Sequence, residues 1–473
     1  MIAVNDLRGS AVKTLFSLCA ILGLSCAGSS LSAQEPISDD AALSRDAAVY
    51  ARQYGVDQAE AARRIKLMVS AQNVADSEEA GEQEDLVAAF FDHGREFKLV
   101  VETAGTAKAK KVRPVAIRGK PGEQIDLPVE YRKVNRPTKS AIRKIFREKN
   151  NMIERLFPEA LITSYDERNG VLSLTFEQGK PIADREKKVT QLQNSIGVPV
   201  RILWGPADTR IGMRGGLQGY RPSGTSYIQN CTLGFAAQAP GPGYEQGYIT
   251  AGHCSNDYYW KEPTGTSYTR LNVRDFQTAT GDWQFVWGAP VERLIKADTG
   301  SFRSITGRRT AGSTCEKTGT STVNDTAILV GSADCNGATS GTFVCWYPGH
   351  YSQPVSGAHG THSVGHPGVG QQCGEVNARA VKMDRCGPTG TTVCDYWWVE
   401  VIPKEGQPTM VAGEGDSGSP VFAWNTAFGI MTNAGWYGAD GNLLYSDPAN
   451  GRVTHMWYTP IDEVYNKGYQ LLY

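Results

Sequence analysis

The chain has 473 residues and a formal net charge of −1 at pH 7. This length is too great for one small domain and indicates two or three. A nearly neutral chain has no electrostatic reason to bind nucleic acid or an anionic membrane surface, so we expect neither as a partner.

The first 33 residues have the pattern of an export signal. Arg8 and Lys13 precede the apolar stretch TLFSLCAILGLSCAG, and small residues follow up to Gln34. The apolar stretch is too short and too mixed for a membrane span, so residues 1–33 are predicted to be a signal peptide of a secreted protein. A lipid anchor at Cys26 is an alternative, but Gly23 stands where a lipid-attachment motif has a larger apolar residue.

The next segment, residues 34–210, is called the leader below. It is rich in charged residues, has no cysteine and holds one of the ten tryptophans of the chain. Its stretch VDQAEAARRIKLMVSAQ predicts a helix, because Asp57 and Glu60 have capping-box spacing and Ile65, Met68 and Val69 share one helical face.

Two further patterns follow in the leader. TKSAIRKIFREKNNMIERLF predicts a second helix. ALITSYDERNGVLSLTF predicts a hairpin with Asn169 and Gly170 in its turn, since Leu172, Leu174 and Phe176 alternate onto one face. The leader is therefore expected to be a small α+β domain preceded by a helical segment.

Residues 211–473, called the C-terminal segment below, have a different composition. This segment holds the other nine tryptophans and many glycines. Its apolar runs are short and are separated by Gly, Thr, Asn and Pro clusters, with little helical periodicity. The pattern predicts an all-β sandwich or barrel.

Cysteine usage agrees with export. Cys19 and Cys26 lie in the predicted signal, and the other eight of the ten cysteines lie in the C-terminal segment. An even number in an exported chain predicts up to four disulfides. No Cys-x-x-Cys pair occurs among them, so a structural zinc site is not expected.

Three motifs of the C-terminal segment contain the residue types of nucleophilic catalysis. In VAGEGDSGSPVFAW, Gly415 and Gly418 flank Ser417 and leave backbone N–H groups accessible to a developing oxyanion. A serine hydroxyl needs a base, and His253 in GYITAGHC is the candidate. Such a histidine needs a carboxylate to fix its tautomer, and Asp282 heads the apolar stretch GDWQFVW.

The motifs TAGHC, GDWQFV and GDSGSP, in that order, resemble those of the chymotrypsin-like serine proteases. The glycine-rich spacing and the long cysteine-free leader resemble the bacterial branch of streptogrisins and alpha-lytic protease. The resemblance implies a double β-barrel with the triad His253, Asp282 and Ser417 in the cleft between the barrels. It also implies an oxyanion hole formed by the backbone N–H groups of Gly415 and Ser417.

The resemblance also implies a disulfide between Cys231 and Cys254, which would bracket the histidine loop. The pairing of the other six cysteines stays open at this point. GHPGVGQQCGEVNARAV resembles the glycine-rich hairpin before the serine loop in these enzymes, which makes Cys373 a candidate partner of Cys345. The remaining candidate pairs are Cys386 with Cys394 and Cys315 with Cys335.

The leader resembles the pro-regions of these bacterial enzymes. A β-rich protease has many non-local contacts and folds slowly unaided, so a covalently attached folding template and inhibitor fits this chain. We expect the leader to be cut away between residues 205 and 220. The alternative is an independent binding domain that the mature protein keeps.

The expected specificity pocket departs from the family pattern. Thr432-Asn433-Ala434-Gly435 stands where these enzymes commonly have Thr-Ser-Gly-Gly. Asn433 would replace the serine that supports the catalytic aspartate, and its amide could still donate to that carboxylate. Val411, six residues before Ser417, offers no acidic anchor, which favours small or hydrophobic substrate side chains.

The loop GHYSQPVSGAHGTHSVGH contains four of the seven histidines, His350, His359, His362 and His366. Clustered histidines can bind zinc or copper. The loop lacks the His-Glu-x-x-His arrangement of zinc proteases, which favours an ordinary polar surface loop.

Together these patterns predict a secreted, monomeric serine endopeptidase, made as a pre-pro-enzyme, that acts on polypeptides without a metal or organic cofactor. One alternative is a binding protein on an inactive protease scaffold. Another is a metal-dependent hydrolase that uses the histidine loop.

Overall fold

The computed structural model describes residues 37–472 with gaps. The predicted signal peptide, with Cys19 and Cys26, lies outside the described residues. The gaps are 82–83, 107, 119, 178–180, 206–216, 225, 242–244, 262–266, 277–280, 290, 292, 299–300, 310–338, 341, 347–370, 385–394, 404–409, 413–415, 438–442, 445–451 and 454.

The leader begins with three helices, α1 (Asp39–Tyr54), α2 (Gln58–Ser70) and α3 (Gln72–Gly81). The predicted cap of α2 is confirmed, because an Asp57 carboxylate oxygen accepts a hydrogen bond from the Glu60 backbone N–H at 2.8 Å. The predicted inner face is confirmed as well, since Ile65, Met68 and Val69 are all buried.

A four-stranded sheet follows in the order β1-β2-β4-β3. β2 and β4 run parallel, whereas β1 pairs with β2 and β3 pairs with β4 in antiparallel fashion. The helices and one face of this sheet share a buried apolar core. The strands are β1 (Leu86–Asp92), β2 (Lys98–Thr103), β3 (Lys111–Ala116) and β4 (Gln124–Lys133).

The rest of the leader forms a second lobe with its own apolar cluster. The predicted helix is α4, and the predicted hairpin is formed by β5 and β6, so both predictions are confirmed. Leu172, Leu174 and Phe176 are buried, and Gly170 closes the turn in a left-handed conformation with φ of 69°. The elements are α4 (Lys139–Leu156), β5 (Ala160–Asp166), β6 (Val171–Glu177), α5 (Arg185–Ile196) and β7 (Val200–Gly205).

The described part of the C-terminal segment is mostly β, as predicted. The short helix α6 (Ile461–Asn466) was not predicted. The strands are β8 (Leu217–Ser223), β9 (Ser226–Leu233), β10 (Ala236–Gln238), β11 (Gln246–Thr250), β12 (Tyr259–Lys261), β13 (Tyr268–Arg270), β14 (Asn272–Asp275), β15 (Gln284–Trp287), β16 (Leu294–Asp298), β17 (Ser301–Ser304), β18 (Gly307–Arg308), β19 (Phe343–Trp346), β20 (Gln372–Asp384), β21 (Asp395–Ile402), β22 (Met410–Val411), β23 (Pro420–Ala423), β24 (Thr426–Tyr437), β25 (Leu443–Leu444), β26 (Arg452–Val453), β27 (His455–Pro460) and β28 (Gln470–Leu471).

These strands form several sheets. One sheet has the order β13-β12-β8-β9 and another the order β14-β15-β11-β10-β28. An eleven-stranded sheet follows the path β19-β23-β24-β27-β21-β20-β5-β6-β7, with β18 and β25 paired to β24. β16 pairs with β17, and β22 pairs with β26. The double β-barrel arrangement stays a prediction.

The leader and the C-terminal segment share this eleven-stranded sheet. β5 of the leader pairs with β20, with Thr163 opposite Lys382 and Ile162 opposite Met383. The apolar core around α1 to α3 also continues without interruption into residues of β19, β23 and β24. The predicted boundary near residue 210 falls in the gap between β7 and β8 and stays a prediction.

A disulfide joins β19 to β20 through Cys345 and Cys373, which confirms that predicted pair. The other predicted pairs of this region, Cys386 with Cys394 and Cys315 with Cys335, lie outside the described residues. Among the residues that the structure describes, no helix is long and apolar enough to cross a membrane.

Candidate active site

His253 and Asp282 are brought together by two neighbouring antiparallel strands. β11 ends three residues before His253, and β15 begins two residues after Asp282. Thr250 at the end of β11 lies opposite Gln284 at the start of β15. Both candidate residues therefore lie at the same end of this pair of strands.

The Asp282 carboxylate holds the histidine at two points. Its Oδ2 lies 2.5 Å from His253 Nδ1, and its Oδ1 accepts a hydrogen bond from the His253 backbone N–H at 2.7 Å. The Asp282 side chain is 1% exposed and the His253 side chain 17% exposed. A carboxylate at Nδ1 keeps a proton on that nitrogen, which leaves Nε2 as the acceptor that a general base needs.

Thr459 supports Asp282 from behind. The Asp282 backbone N–H donates to Thr459 Oγ1 at 3.1 Å, and Thr459 Oγ1 lies 3.4 Å from the Asp282 carbonyl oxygen. Thr459 is fully buried on β27. The family pattern predicts a supporting role for Asn433, whose side chain lies outside the described part of the chain.

Ser417 lies on a tight turn between β22 and β23. Gly418 has φ of 91°, and the Ser419 N–H donates to the Asp416 carbonyl at 3.0 Å. The Gly418 N–H donates to the Met431 carbonyl of β24 at 2.6 Å, which fixes the turn to the sheet. The Ser417 hydroxyl donates one hydrogen bond to the Thr432 carbonyl at 3.0 Å.

This turn packs directly on the strands that lead to His253. The Thr232 N–H donates to the Ser417 carbonyl at 3.3 Å. A Cβ atom at Gly418 would overlap the Thr232 carbonyl and the Thr250 hydroxyl, and it would lie 3.3 Å from the Ala251 nitrogen. The serine turn thus packs against the end of β11, three residues before the histidine.

A disulfide between Cys231 and Cys254 fastens the histidine loop to β9, with a Cα–Cα distance of 5.9 Å. Cys231 precedes Thr232, whose N–H contacts the serine turn, and Cys254 follows His253 directly. The pairing that the family resemblance implied is therefore confirmed.

The residues of the predicted specificity pocket lie on β22 and β24. Val411 on β22 pairs with Arg452, and the three β24 positions Asn433, Ala434 and Gly435 pair with consecutive residues of β27. Ala434 is buried opposite Met456. Gly415 and the side chains of Val411 and Asn433 lie outside the described residues, so the pocket and the oxyanion hole stay predictions.

Two ionisable side chains, the buried Glu400 and the partly buried His455, lie on the strands next to this region. His455 Nε2 on β27 lies 4.0 Å from Glu400 Oε1 on β21, and the Asn377 amide donates to Glu400 Oε2 at 2.8 Å. Burial raises the pKa of Glu400 to about 7 and lowers the pKa of His455 to about 3. Glu400 and His455 do not belong to a recognisable motif, so they were not predictable from the sequence alone.

The four histidines of the histidine loop, His350, His359, His362 and His366, lie outside the described residues, so the prediction of an ordinary polar surface loop stays a prediction. In the described ranges, no group of three or more His, Cys, Asp or Glu side chains could hold a metal ion.

Comparisons with known proteins give weak similarities. No known family profile matches the chain, and no curated protein matches it significantly. Thermobifida fusca protease A is 18% identical, with 55% of this chain and 97% of that chain covered at a TM-score of 0.31. Cellulomonas bogoriensis chymotrypsin is 19% identical, with the same coverage and TM-score. Alpha-lytic protease homolog N4 is 16% identical, with 54% and 97% covered at a TM-score of 0.29.

Proposed function

We propose that the chain is a secreted serine endopeptidase made with a signal peptide and a leader that is later removed. The observation that carries this proposal is the buried Asp282 carboxylate bound to both the Nδ1 atom and the backbone N–H of His253. A carboxylate and imidazole held in this way form the base half of a Ser-His-Asp triad. The turn of Ser417, packed against the same strand end, supplies the nucleophile.

The chemistry follows from this arrangement. The Ser417 hydroxyl exchanges its hydrogen bond to the Thr432 carbonyl for one to Nε2 of His253, which takes the proton as Oγ attacks the scissile carbonyl. Asp282 stabilises the imidazolium that forms. His253 then protonates the leaving amine, and a water molecule hydrolyses the acyl-enzyme by the same steps in reverse. Backbone N–H groups at Gly415 and Ser417 are proposed to bind the oxyanion.

We propose that the leader is the folding template and inhibitor of the C-terminal segment. Glu375 on β20 supports this role, because three separate parts of the leader meet at its carboxylate. The Tyr54 hydroxyl donates to Oε1 at 2.5 Å, Arg168 donates to Oε2 at 3.2 Å, and His93 Nε2 lies 3.7 Å from Oε1. A leader bound through so many polar contacts can fix the position of β20 while the sheet forms.

Covalent labelling tests the catalytic proposal. We expect the exported wild type to lose its leader between residues 205 and 220 and to gain one fluorophosphonate adduct by intact mass. Ser417→Ala removes the nucleophile, so its processing and labelling should fall by a factor on the order of 10⁴ or more. Ser226→Ala is the control, since Ser226 is exposed at the start of β9 and donates to the Ser223 carbonyl at 3.0 Å.

A wild type that keeps its leader and takes no adduct would contradict the proposal and favour an inactive binding protein on this scaffold. Inhibition by a chelator without labelling would favour a metal-dependent hydrolase.

A further inference from the structure

Arg303 of the C-terminal segment and Asp46 of the leader form an ion pair sealed from solvent. Arg303 lies on β17, Asp46 lies on α1, and both side chains are 0% exposed. Burying two charges is costly unless each is fully paired and hydrogen-bonded. The hydrogen bonds around this pair therefore indicate which chemical group this part of the C-terminal segment binds.

Each oxygen of the Asp46 carboxylate accepts two hydrogen bonds, and all four donors belong to the C-terminal segment. Oδ1 accepts from Arg303 Nη2 at 2.9 Å and from Gln371 Nε2 at 2.7 Å. Oδ2 accepts from Arg303 Nη1 at 3.0 Å and from the Trp424 backbone N–H at 2.8 Å. A planar fork with a further donor on each side matches the geometry and the charge of a carboxylate.

The donors are held in place by the C-terminal segment itself. Arg303 Nη1 also donates to the Trp424 carbonyl at 2.9 Å, and its guanidinium lies 4.5 Å from the centre of the Phe422 ring. These contacts orient the guanidinium independently of Asp46 and favour a planar cation over an aromatic ring.

Trp424, the third residue that donates to Asp46, has a strained backbone conformation. Trp424 lies in the β23–β24 turn with φ of 51°, a left-handed conformation that is uncommon for a bulky residue. Helix α1 clamps this turn through the Asp46 carboxylate and through the Asp39 carbonyl, which accepts from Trp424 Nε1 at 3.0 Å. One of the four donors to the carboxylate thus belongs to a strained turn.

We propose that Arg303, Gln371 and the Trp424 N–H form a carboxylate-binding site of the C-terminal segment. Asp46 occupies it while the leader is bound, and an acidic side chain of another polypeptide takes its place once the leader has gone. The availability of the site to a second chain rests on the proposed removal of the leader. The preference of the site for a carboxylate does not depend on removal of the leader, because it follows from the four hydrogen-bond donors.

Chemical rescue in the full-length chain tests the carboxylate preference. Asp46→Ala in the Ser417→Ala background removes the carboxylate and prevents self-processing, so the result does not depend on protease activity. We expect a lower Tm than in the Ser417→Ala parent. Formate should raise the Tm of the Asp46→Ala chain by a few degrees more than it raises that of the parent. Formamide, or chloride at the same ionic strength, should not.

Two further variants separate the site from general salt effects. Adding Arg303→Met to Asp46→Ala should abolish the response to formate. Asp257→Ala removes a surface carboxylate that lies 3.1 Å from Arg270, where the two side chains are 43% and 69% exposed, and it should show no rescue. If Asp46→Ala does not accumulate in folded form, the refolding yield in formate against chloride is measured instead. Equal responses to formate and chloride would overturn the proposal.

Exchange with a second chain is tested on wild-type enzyme separated from its leader. A fluorescent peptide with the sequence of residues 38–55 should bind this enzyme, and Asp46→Asn in the peptide should weaken binding at least tenfold. Equal affinity of the two peptides would contradict binding through this site. If the leader stays bound after processing, the proposed exchange of Asp46 for an acidic side chain of a second chain is contradicted. The result of the formate rescue is unaffected.

Discussion

At the scale of single residues, the position of Asp282 is fixed from two sides. Its carboxylate binds His253, and its backbone N–H donates to the buried Thr459 hydroxyl at 3.1 Å. A small shift of the carboxylate would change the direction of the imidazole, and shifts of this size are costly in catalysis. Thr459 is therefore a positioning residue for the proposed triad.

We predict that Thr459→Val lowers kcat by about tenfold and leaves KM nearly unchanged, because the hydroxyl contacts Asp282 and not the substrate. The buried N–H left without its acceptor should also cost about 1–3 kcal/mol of the free energy of unfolding. Steady-state kinetics and denaturant unfolding measure the two effects. Thr459→Ser keeps the hydroxyl and should retain most of the activity. Equal losses in Thr459→Ser and Thr459→Val would contradict the role of the hydroxyl.

The sequence predicted His253, Asp282 and Ser417 because each lies in a short motif with its own local pattern. It did not predict Thr459, which lies 177 positions from Asp282 and whose neighbours form an ordinary apolar strand. The partners of Arg303 were missed for the same reason, since Asp46 lies 257 residues away in the leader. Contacts of this kind depend on strand register, which a single sequence does not specify.

At the scale of elements, the turn that carries Ser417 depends on Gly418. This glycine has a positive φ and also packs against the backbone of Thr232 and the side chain of Thr250. Two separate requirements, conformation and space, therefore exclude a side chain at this position.

We predict that Gly418→Ala abolishes fluorophosphonate labelling and lowers the free energy of unfolding by more than the 1–3 kcal/mol expected for backbone strain alone. Gly224→Ala is the matched control, since Gly224 has φ of 61° and a Cβ there meets no atom within 4 Å. The free energy of unfolding of Gly224→Ala should fall only by the amount expected for backbone strain, and the variant should still be labelled by the fluorophosphonate. Denaturant unfolding and labelling rates measure both variants. Similar losses in the two would mean that close packing at Gly418 is unimportant.

Local patterns predicted α2, α4 and the β5–β6 hairpin, because caps, periodicity and an Asn-Gly turn act within a few residues of one another. Helix α6 was missed, since six residues are too few for a periodic pattern. Asp462 in α6 is buried and binds Arg308, a partner far away in the chain. The pairing of β5 with β20 was also not predictable, as it joins strands about 200 positions apart in the chain.

At the scale of the whole molecule, Glu400 and His455 make stability depend on pH in opposite directions. The folded state raises the pKa of Glu400 from 4.5 to about 7, so the contribution of this group to stability falls as pH rises through that range. The folded state lowers the pKa of His455 from 6.5 to about 3, so its contribution is lost as pH falls through that range. Between about pH 4.5 and 6.5 the two effects oppose each other.

We predict that Glu400→Gln removes the loss of stability at higher pH. Relative to wild type, the variant should gain on the order of 3 kcal/mol in free energy of unfolding between pH 5 and pH 8. Urea unfolding at both pH values, in the Ser417→Ala background, measures this difference. Glu123→Gln is the control, because that carboxylate is 41% exposed and lies 3.4 Å from Lys66 at the surface. An equal change in both variants would contradict the assignment to Glu400.

The eleven-stranded sheet has a consequence for the fate of the two segments. β5 and β20 pair with each other across the boundary between leader and C-terminal segment. If the leader is removed as proposed, the edges of β5 and β20 that pair with each other expose N–H and C=O groups without strand partners, which can recruit another strand and cause aggregation. In that case, degradation of the freed leader would limit aggregation as well as end the proposed inhibition, because it removes one chain that can pair with the exposed edge of β20.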